Sequence, residues 1–204
     1  MRTTRALAAL AIGAALTLAG CGSNDQSTGA DQASTSATDH NDADVDFASD
    51  MIQHHAQALA MVDLTVDREL DPEVQRLADD VRAAQGPEIE TMSDWLQEWG
   101  EEVPETVRDH SNSEMDMGED DMADMGGDMP GMMSPDDMQS LEAATDAEFP
   151  GMWLAMMTEH HEGAIEMARD QVENGQYKPA VDLAGQIEAA QTREVEMMNE
   201  LQGR

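Results

Sequence analysis

The stretch "MIQHHAQALAM" spans Met51 to Met61, and "MTEHHEGAIEM" repeats its pattern at Met157 to Met167. Sliding the chain by 106 positions pairs Met51 with Met157, His54 with His160, His55 with His161, Ala58 with Ala164 and Met61 with Met167. The same offset pairs Leu77 with Leu183, Gln85 with Gln191, Glu88 with Glu194 and Met92 with Met198, and it sets Phe47 against Trp153. A gap-free match over roughly fifty residues marks an internal duplication.

Residues three, four and seven apart share one face of a helix. Met51, His54, His55, Ala58 and Met61 therefore form one stripe, and Met157, His160, His161, Ala164 and Met167 form its twin. Each half reads as helix, turn, helix. Val45 to about Glu69 is the first helix, "LDP" at Leu70–Pro72 the break, and Glu73 to Trp99 the second, with Pro72 suited to the opening turn. Gly86-Pro87 predicts a kink or boundary within that second helix. In the other half a helix runs from Ala147 or Phe149 to Glu173, with Pro150-Gly151 predicting an irregular start. "ENGQYKP" then turns the chain into a last helix from Pro179 to near Gly203, with Leu183, Ile187, Ala190 and Met197 as its apolar stripe. Neither hairpin has much apolar surface of its own. Two together predict an all-α four-helix bundle built from duplicated hairpins.

The rest of the chain frames this domain. Arg2 and Arg5 precede an apolar run ending in "LAGC", which reads as an export signal over residues 1–20. The ending resembles a lipoprotein cleavage box and implies a lipidated Cys21 on the extracytoplasmic face of a bacterial membrane. Residues 21–42 are small and polar, a flexible tether in which His40 has no evident task, and the domain follows over 43–203. Between the halves, residues 110–133 are rich in Met, Asp and Gly, after which Ser134-Pro135-Asp136-Asp137 signals a capped short helix to Ala144.

Charge excludes one class of partner. With 10 Lys and Arg against 44 Asp and Glu, the formal net charge is -34, and nothing basic is clustered to meet phosphates, so nucleic acid is excluded. Such a surface attracts cations and suits a basic protein or a metal-transfer partner.

Two adjacent histidines on an apolar stripe are costly to bury without partners. Ordinary hydrogen bonding to neighbouring helices is one reading of each pair. The duplication supplies another: hairpins packed about a pseudo-twofold axis would bring His54 and His55 to face His160 and His161, with methionines around them. Thioether and imidazole donors without thiolate suit Cu(I) or Ag(I), while imidazole also accepts Cu(II), Zn(II) or Ni(II). A zinc-protease HExxH spacing is absent, and the positions three before the histidines are Met51, Ile52, Met157 and Thr158, which lack the glutamates of a di-iron site. Met115, Met117, Met122, Met125, Met129, Met132, Met133 and Met138 recur every two to five residues, as in methionine-rich copper-binding segments. An acidic loop without metal and a sacrificial oxidation target are the alternatives there. No nucleophile arrangement or catalytic carboxylate pair stands out; Glu159 and Glu162, and less closely Gln53 and Gln57, neighbour the imidazoles and could orient them, but solvated helix faces are their expected place.

"FASDMIQHHAQALAM" from Phe47 and "WLAMMTEHHEGAIEMA" from Trp153 resemble the paired signatures of the DUF305 family. The resemblance covers about Val45 to Leu201 and implies exported proteins of ferritin-like helical fold, some linked to copper binding and resistance. It implies Met51, His54, His55, Met61, Met157, His160, His161 and Met167 as ligands, with the linker methionines as an addition of this chain. The expected function is extracytoplasmic binding of copper, Cu(I) above Cu(II) or silver, for buffering, resistance or transfer, without turnover. The alternative is an acidic interaction module of the cell envelope with structural histidines.

Overall fold

The computed structural model describes residues 39–107 and 129–204. The expected signal, Cys21, nearly all of the tether and Met115, Met117, Met122 and Met125 lie outside the described residues. Among the described residues no helix is long and apolar enough to cross a membrane.

The first helix, α1, spans Asp42–Asp63, and Asn41 and Asp44 close a capping box at its start. It stops a turn and a half before the expected Glu69. Residues 64–67 form a turn, with Asp67 at φ 64°, and the Thr65 hydroxyl donates to the Val62 carbonyl at 2.7 Å. Arg68 stabilises this exit. Its guanidinium donates to the carbonyls of Leu64, Glu142 and Ala144 and lies 4.0 Å from the centroid of the Phe149 ring.

Helix α2 spans Pro72–Trp99, with Asp71 as N-cap and Pro72 in the first turn as expected. It ends on left-handed Gly100. The boundary expected at Gly86-Pro87 does not occur, and the helix continues through Pro87. Pro87 and Ala83 are both exposed, so the carbonyl deprived of its helical partner lies on the solvent side, where water can replace the missing bond.

Helix α3, Pro135–Ala143, carries the expected Ser134 cap and capping box with Asp137. Helix α4 spans Phe149–Asn174, with Pro150 within its first turn, and α5 spans Lys178–Gln202. The buried face of α5 is Ala180, Ala184, Ile187, Gln191 and Met198. This corrects the expected stripe: Met197 is 46% exposed, and Met198, the twin of Met92, takes the inward position.

Hairpins α1–α2 and α4–α5 pack on one another chiefly through α1 and α4. These central helices run antiparallel, as the composition of the core shows. Ala58, Met61 and Val62 from the end of α1 share a cluster with Phe149, Trp153 and Met157 from the start of α4. Phe47, Ala48, Met51 and Ile52 from the start of α1 share a second cluster with Ala164 and Ala168 further along α4. The Trp153 indole donates to the Met61 carbonyl at 3.0 Å, a polar lock between the two hairpins.

At the opposite end Asp44 performs the same task with more bonds. Fully buried, its carboxylate accepts from Gln171 Nε2 at 2.6 Å, from the backbone N–H of Gln176 at 3.1 Å and of Tyr177 at 2.9 Å, and from Asn41 N–H at 2.9 Å. His40 also departs from expectation. Its ring stacks on Trp99 at 4.3 Å between centroids, so the last residues before α1 are packed against the end of α2.

The duplication is visible in contacts as well as in sequence. Arg82 pairs with Asp63 at 2.6 Å, and at the two equivalent positions Glu188 pairs with Arg169 at 2.7 Å, with the signs exchanged.

Candidate metal centre

Between the two apolar clusters lies a polar layer. His54 and His55 follow Met51 and Ile52 on α1, and His160 and His161 follow Met157 on α4. All four histidines are 0% exposed. Gln85 on α2, between Val81 and Met92, and Gln191 on α5, between Ile187 and Met198, are buried at the matching positions. Six polar side chains thus occupy inward positions of the helix faces that elsewhere pack with apolar ones.

The inner rings, His54 and His160, meet across the pseudo-twofold axis with centroids 3.7 Å apart and planes tilted by 40°. That contact leaves no space for an ion between the ring faces. Imidazole lone pairs lie in the ring plane, however, so a metal would bind at ring edges. The outer rings point to carboxylates on the second helix of their own hairpins: His55 Nε2 to Glu88 and His161 Nε2 to Glu194, each at 2.8 Å. His54 Nε2 lies 3.0 Å from the Pro130 carbonyl.

These partners determine the tautomers. A carbonyl or carboxylate oxygen accepts, so Nε2 carries a proton in His54, His55 and His161, and in a neutral ring held this way the lone pair falls on Nδ1. Among the described residues, the Nδ1 atoms of all four histidines, and Nε2 of His160, are buried without a hydrogen-bond partner. Both amide atoms of Gln85 and the carbonyl oxygen of Gln191 are likewise unpartnered. Buried polar atoms are ordinarily satisfied. An arrangement in which one ring nitrogen is tied to an oxygen and the other is left with its lone pair is that of a metal-ligating histidine.

Burial, reinforced by the His55 and His161 imidazoles, lowers the pKa of His54 to about 3, and the bond to Pro130 opposes this only in part. For His160 burial and then the neighbouring imidazoles of His54, His161 and His55 push the pKa well below the usual value. The inner rings are therefore neutral at physiological pH and keep the lone pairs that coordination requires.

Among the described residues, no group of three or more His, Cys, Asp or Glu side chains could by itself hold a metal ion. Thioethers are the soft donors that could complete such a site. Met51, Met61 and Met157 are fully buried on the histidine stripes. Met61 and Met157 share one cluster, whereas Met51 lies in the other with the half-buried Met167 packed against it. A methionine pair therefore flanks the histidine layer on each side.

Of the linker methionines within the described residues, Met129 and Met132 are half-buried and Met133 is buried in the core. Glu159 and Glu162 are exposed on the solvated helix faces expected for them, and the imidazole partners are Glu88 and Glu194. The repeat had paired those two glutamates, but nothing distinguished them from other acids before the helices were packed. Gln57 turns away from the imidazoles and binds the backbone of Met133.

Duplicated helical hairpins closed on a histidine layer define an all-α protein of a recognisable kind. The chain belongs to the DUF305 family, described as a domain of unknown function, whose model matches residues 44–202. A DUF305 protein of Streptomyces coelicolor, described as secreted, is 31% identical over 78% of this chain and 89% of its own, with a TM-score of 0.64. A DUF305 fragment from Deinococcus radiodurans is 26% identical over 80% of this chain and 97% of its own, with a TM-score of 0.65. CopM in its Cu(II)-bound form is 25% identical over 78% of this chain and 95% of its own, with a TM-score of 0.61. CopM has also been solved with Cu(I) and with silver. No curated protein sequence matches the chain.

Proposed function

We propose that this chain is an exported protein that binds copper, as Cu(I), in its histidine layer and releases it unchanged. One observation carries the reading: five imidazole nitrogens without partners among the described residues, fully buried between clusters that each present methionines. His54, His55, His160 and His161 supply nitrogen donors, and Met51, Met61, Met157 and Met167 supply thioethers, a soft set that fits Cu(I) or silver. Glu88 and Glu194 orient the outer rings. Support also comes from CopM, a relative solved with these metals, and the Streptomyces relative's description as secreted supports export.

The wider assembly belongs to the same proposal. Cys21 carries the lipid anchor, the residues between it and His40 tether a ferritin-like helical domain, and Met115, Met117, Met122, Met125, Met129 and Met132 capture ions for it, while Met133 belongs to the core. The strongly acidic surface, with 44 Asp and Glu in the sequence, raises the local cation concentration.

The test is a Cu(I) titration under reducing conditions against a competing chelator. Replacing both inner histidines, His54→Gln with His160→Gln, is expected to weaken the tightest site by about 100-fold, or about 2.7 kcal/mol. Met51→Leu with Met157→Leu conserves core volume and should also weaken binding if thioethers contribute. Tight binding unchanged in the histidine variant would move the copper to the linker and sink the core site.

A further inference from the structure

The chain returns from its methionine-rich segment through "MPGMM", Met129–Met133, and does so directly over the inner histidines. Met132 N–H donates to the Met129 carbonyl at 3.3 Å, with Pro130 second and Gly131, at φ 73°, third. Proline followed by a positive-φ glycine is the type II pattern, in which the carbonyl of the second residue takes no part in the turn's own bond. Here that free carbonyl meets His54 Nε2 at 3.0 Å.

Two contacts hold the turn in place, and they use equivalent positions of the duplicated helices. On α1, Gln57 clamps Met133, donating to its carbonyl at 2.8 Å and accepting from its N–H at 2.7 Å. On α4, the position matching Gln57 is Gly163, where any Cβ would run into the Pro130 carbonyl and the Gly131 Cα. Gly131 is equally confined, because a Cβ there would strike the Glu159 carbonyl. The two backbones cross where neither has a side chain. Among the described residues there is one such turn for two half-sites, and it breaks their equivalence: His54 gains the Pro130 carbonyl as acceptor, and His160 has no counterpart to it.

We propose that this turn is a working part of the metal centre: the Pro130 carbonyl is a positioning group that holds His54 as the Nε2–H tautomer and assigns Nδ1 as its metal-binding nitrogen. The proposal rests on the copper reading above and adds to it which of two near-identical half-sites is organised before the ion arrives.

Long-range proton–nitrogen correlation spectra of the 15N-labelled, metal-free chain test the tautomer directly, with His54 identified by its loss in His54→Gln. The wild type should show His54 protonated at Nε2. Gly163→Ala, which displaces the turn, and Gln57→Ala, which unclamps it, should turn His54 into a tautomer mixture and leave the His55 and His161 patterns in place as evidence of the intact fold. Cu(I) affinity in both should fall by about 10-fold or more, the range for losing a group that orients a metal-binding histidine. If Gly163→Ala fails to fold, Gln57→Ala carries the comparison. A wild-type His54 protonated at Nδ1, or folded variants with unchanged tautomer, would overturn the hold of the turn on the ring. A shifted tautomer with unchanged copper affinity would overturn its role in the centre. The expected tautomers without copper uptake by the wild type would overturn the copper reading instead, and with it the assignment of Nδ1 to metal.

Discussion

The metal-free chain is expected to lose stability steadily as the pH falls from about 6.5 towards 5. His54 has a folded pKa of about 3 and His160 one well below the usual value, both because of burial first, while the unfolded chain protonates its histidines near 6.5. Between the folded and unfolded values the unfolded state binds more protons, so stability is fully present above about 6.5 and is lost as the pH falls. Each inner imidazole contributes a slope of about 1.4 kcal/mol per pH unit. Against a usual total of roughly 5–15 kcal/mol, two such slopes over a few units are enough to unfold a domain.

The groups around these rings are the imidazoles of His55 and His161 and, beyond them, the carboxylates of Glu88 and Glu194. A competing effect exists, because 44 acidic residues repel one another at neutral pH and protonation relieves them. That relief begins mainly below about pH 5, nearer the carboxylate range. Urea midpoints measured from pH 7.5 to 5 should therefore fall in the wild type and stay nearly level in His54→Gln with His160→Gln. A wild-type midpoint constant over this interval would refute the assignment of neutral, buried inner rings.

Asp44→Ala is expected to destabilise the chain by about 3–5 kcal/mol, because four donors lose their acceptor and each buried unsatisfied donor costs about 1–3 kcal/mol. The carboxylate is 0% exposed and gathers Gln171, Gln176, Tyr177 and Asn41 from three places in the chain. Removing it strands three backbone N–H groups and one amide, and it also dissolves half of the α1 capping box. Asp44→Asn is expected to lose less, since one oxygen acceptor is retained. Chemical denaturation at pH 7.5 measures both, and a loss under 1 kcal/mol for the alanine variant would show that the helix ends are held elsewhere.

Much of the fold was legible because duplication tests itself. A stripe read once is ambiguous, but stripes matching at a constant offset placed both hairpins and the inward faces of α1 and α4. The buried positions of Met51, Met61, Met157 and all four histidines followed from that periodicity. What the sequence could not reveal depends on distances between helices. Glu88 and Glu194 lie 33 residues beyond their histidines and were two acids among 44. Nothing local marks Asp44 among 44 acidic residues, and its role comes from the α4–α5 turn closing over it. The Pro130-Gly131 turn carried a local signal, yet its role comes from landing on Gly163, which no pattern within residues 129–133 encodes. Met197 and Met198 illustrate the limit of apolar counting, since about 100° of rotation separates a core side chain from an exposed one.

The sign exchange between Asp63–Arg82 and Arg169–Glu188 bears on how two look-alike halves avoid confusing their parts. Both pairs are well solvated, and each contributes on the order of 1 kcal/mol or less. If α1 chose α5 as its hairpin mate and α4 chose α2, Asp63 would face Glu188 and Arg169 would face Arg82. Attraction would become repulsion at both places at once. A modest surface charge pattern thus acts as a key between nearly interchangeable helices, biasing a folding chain against the shuffled assembly that its own ancestry makes available.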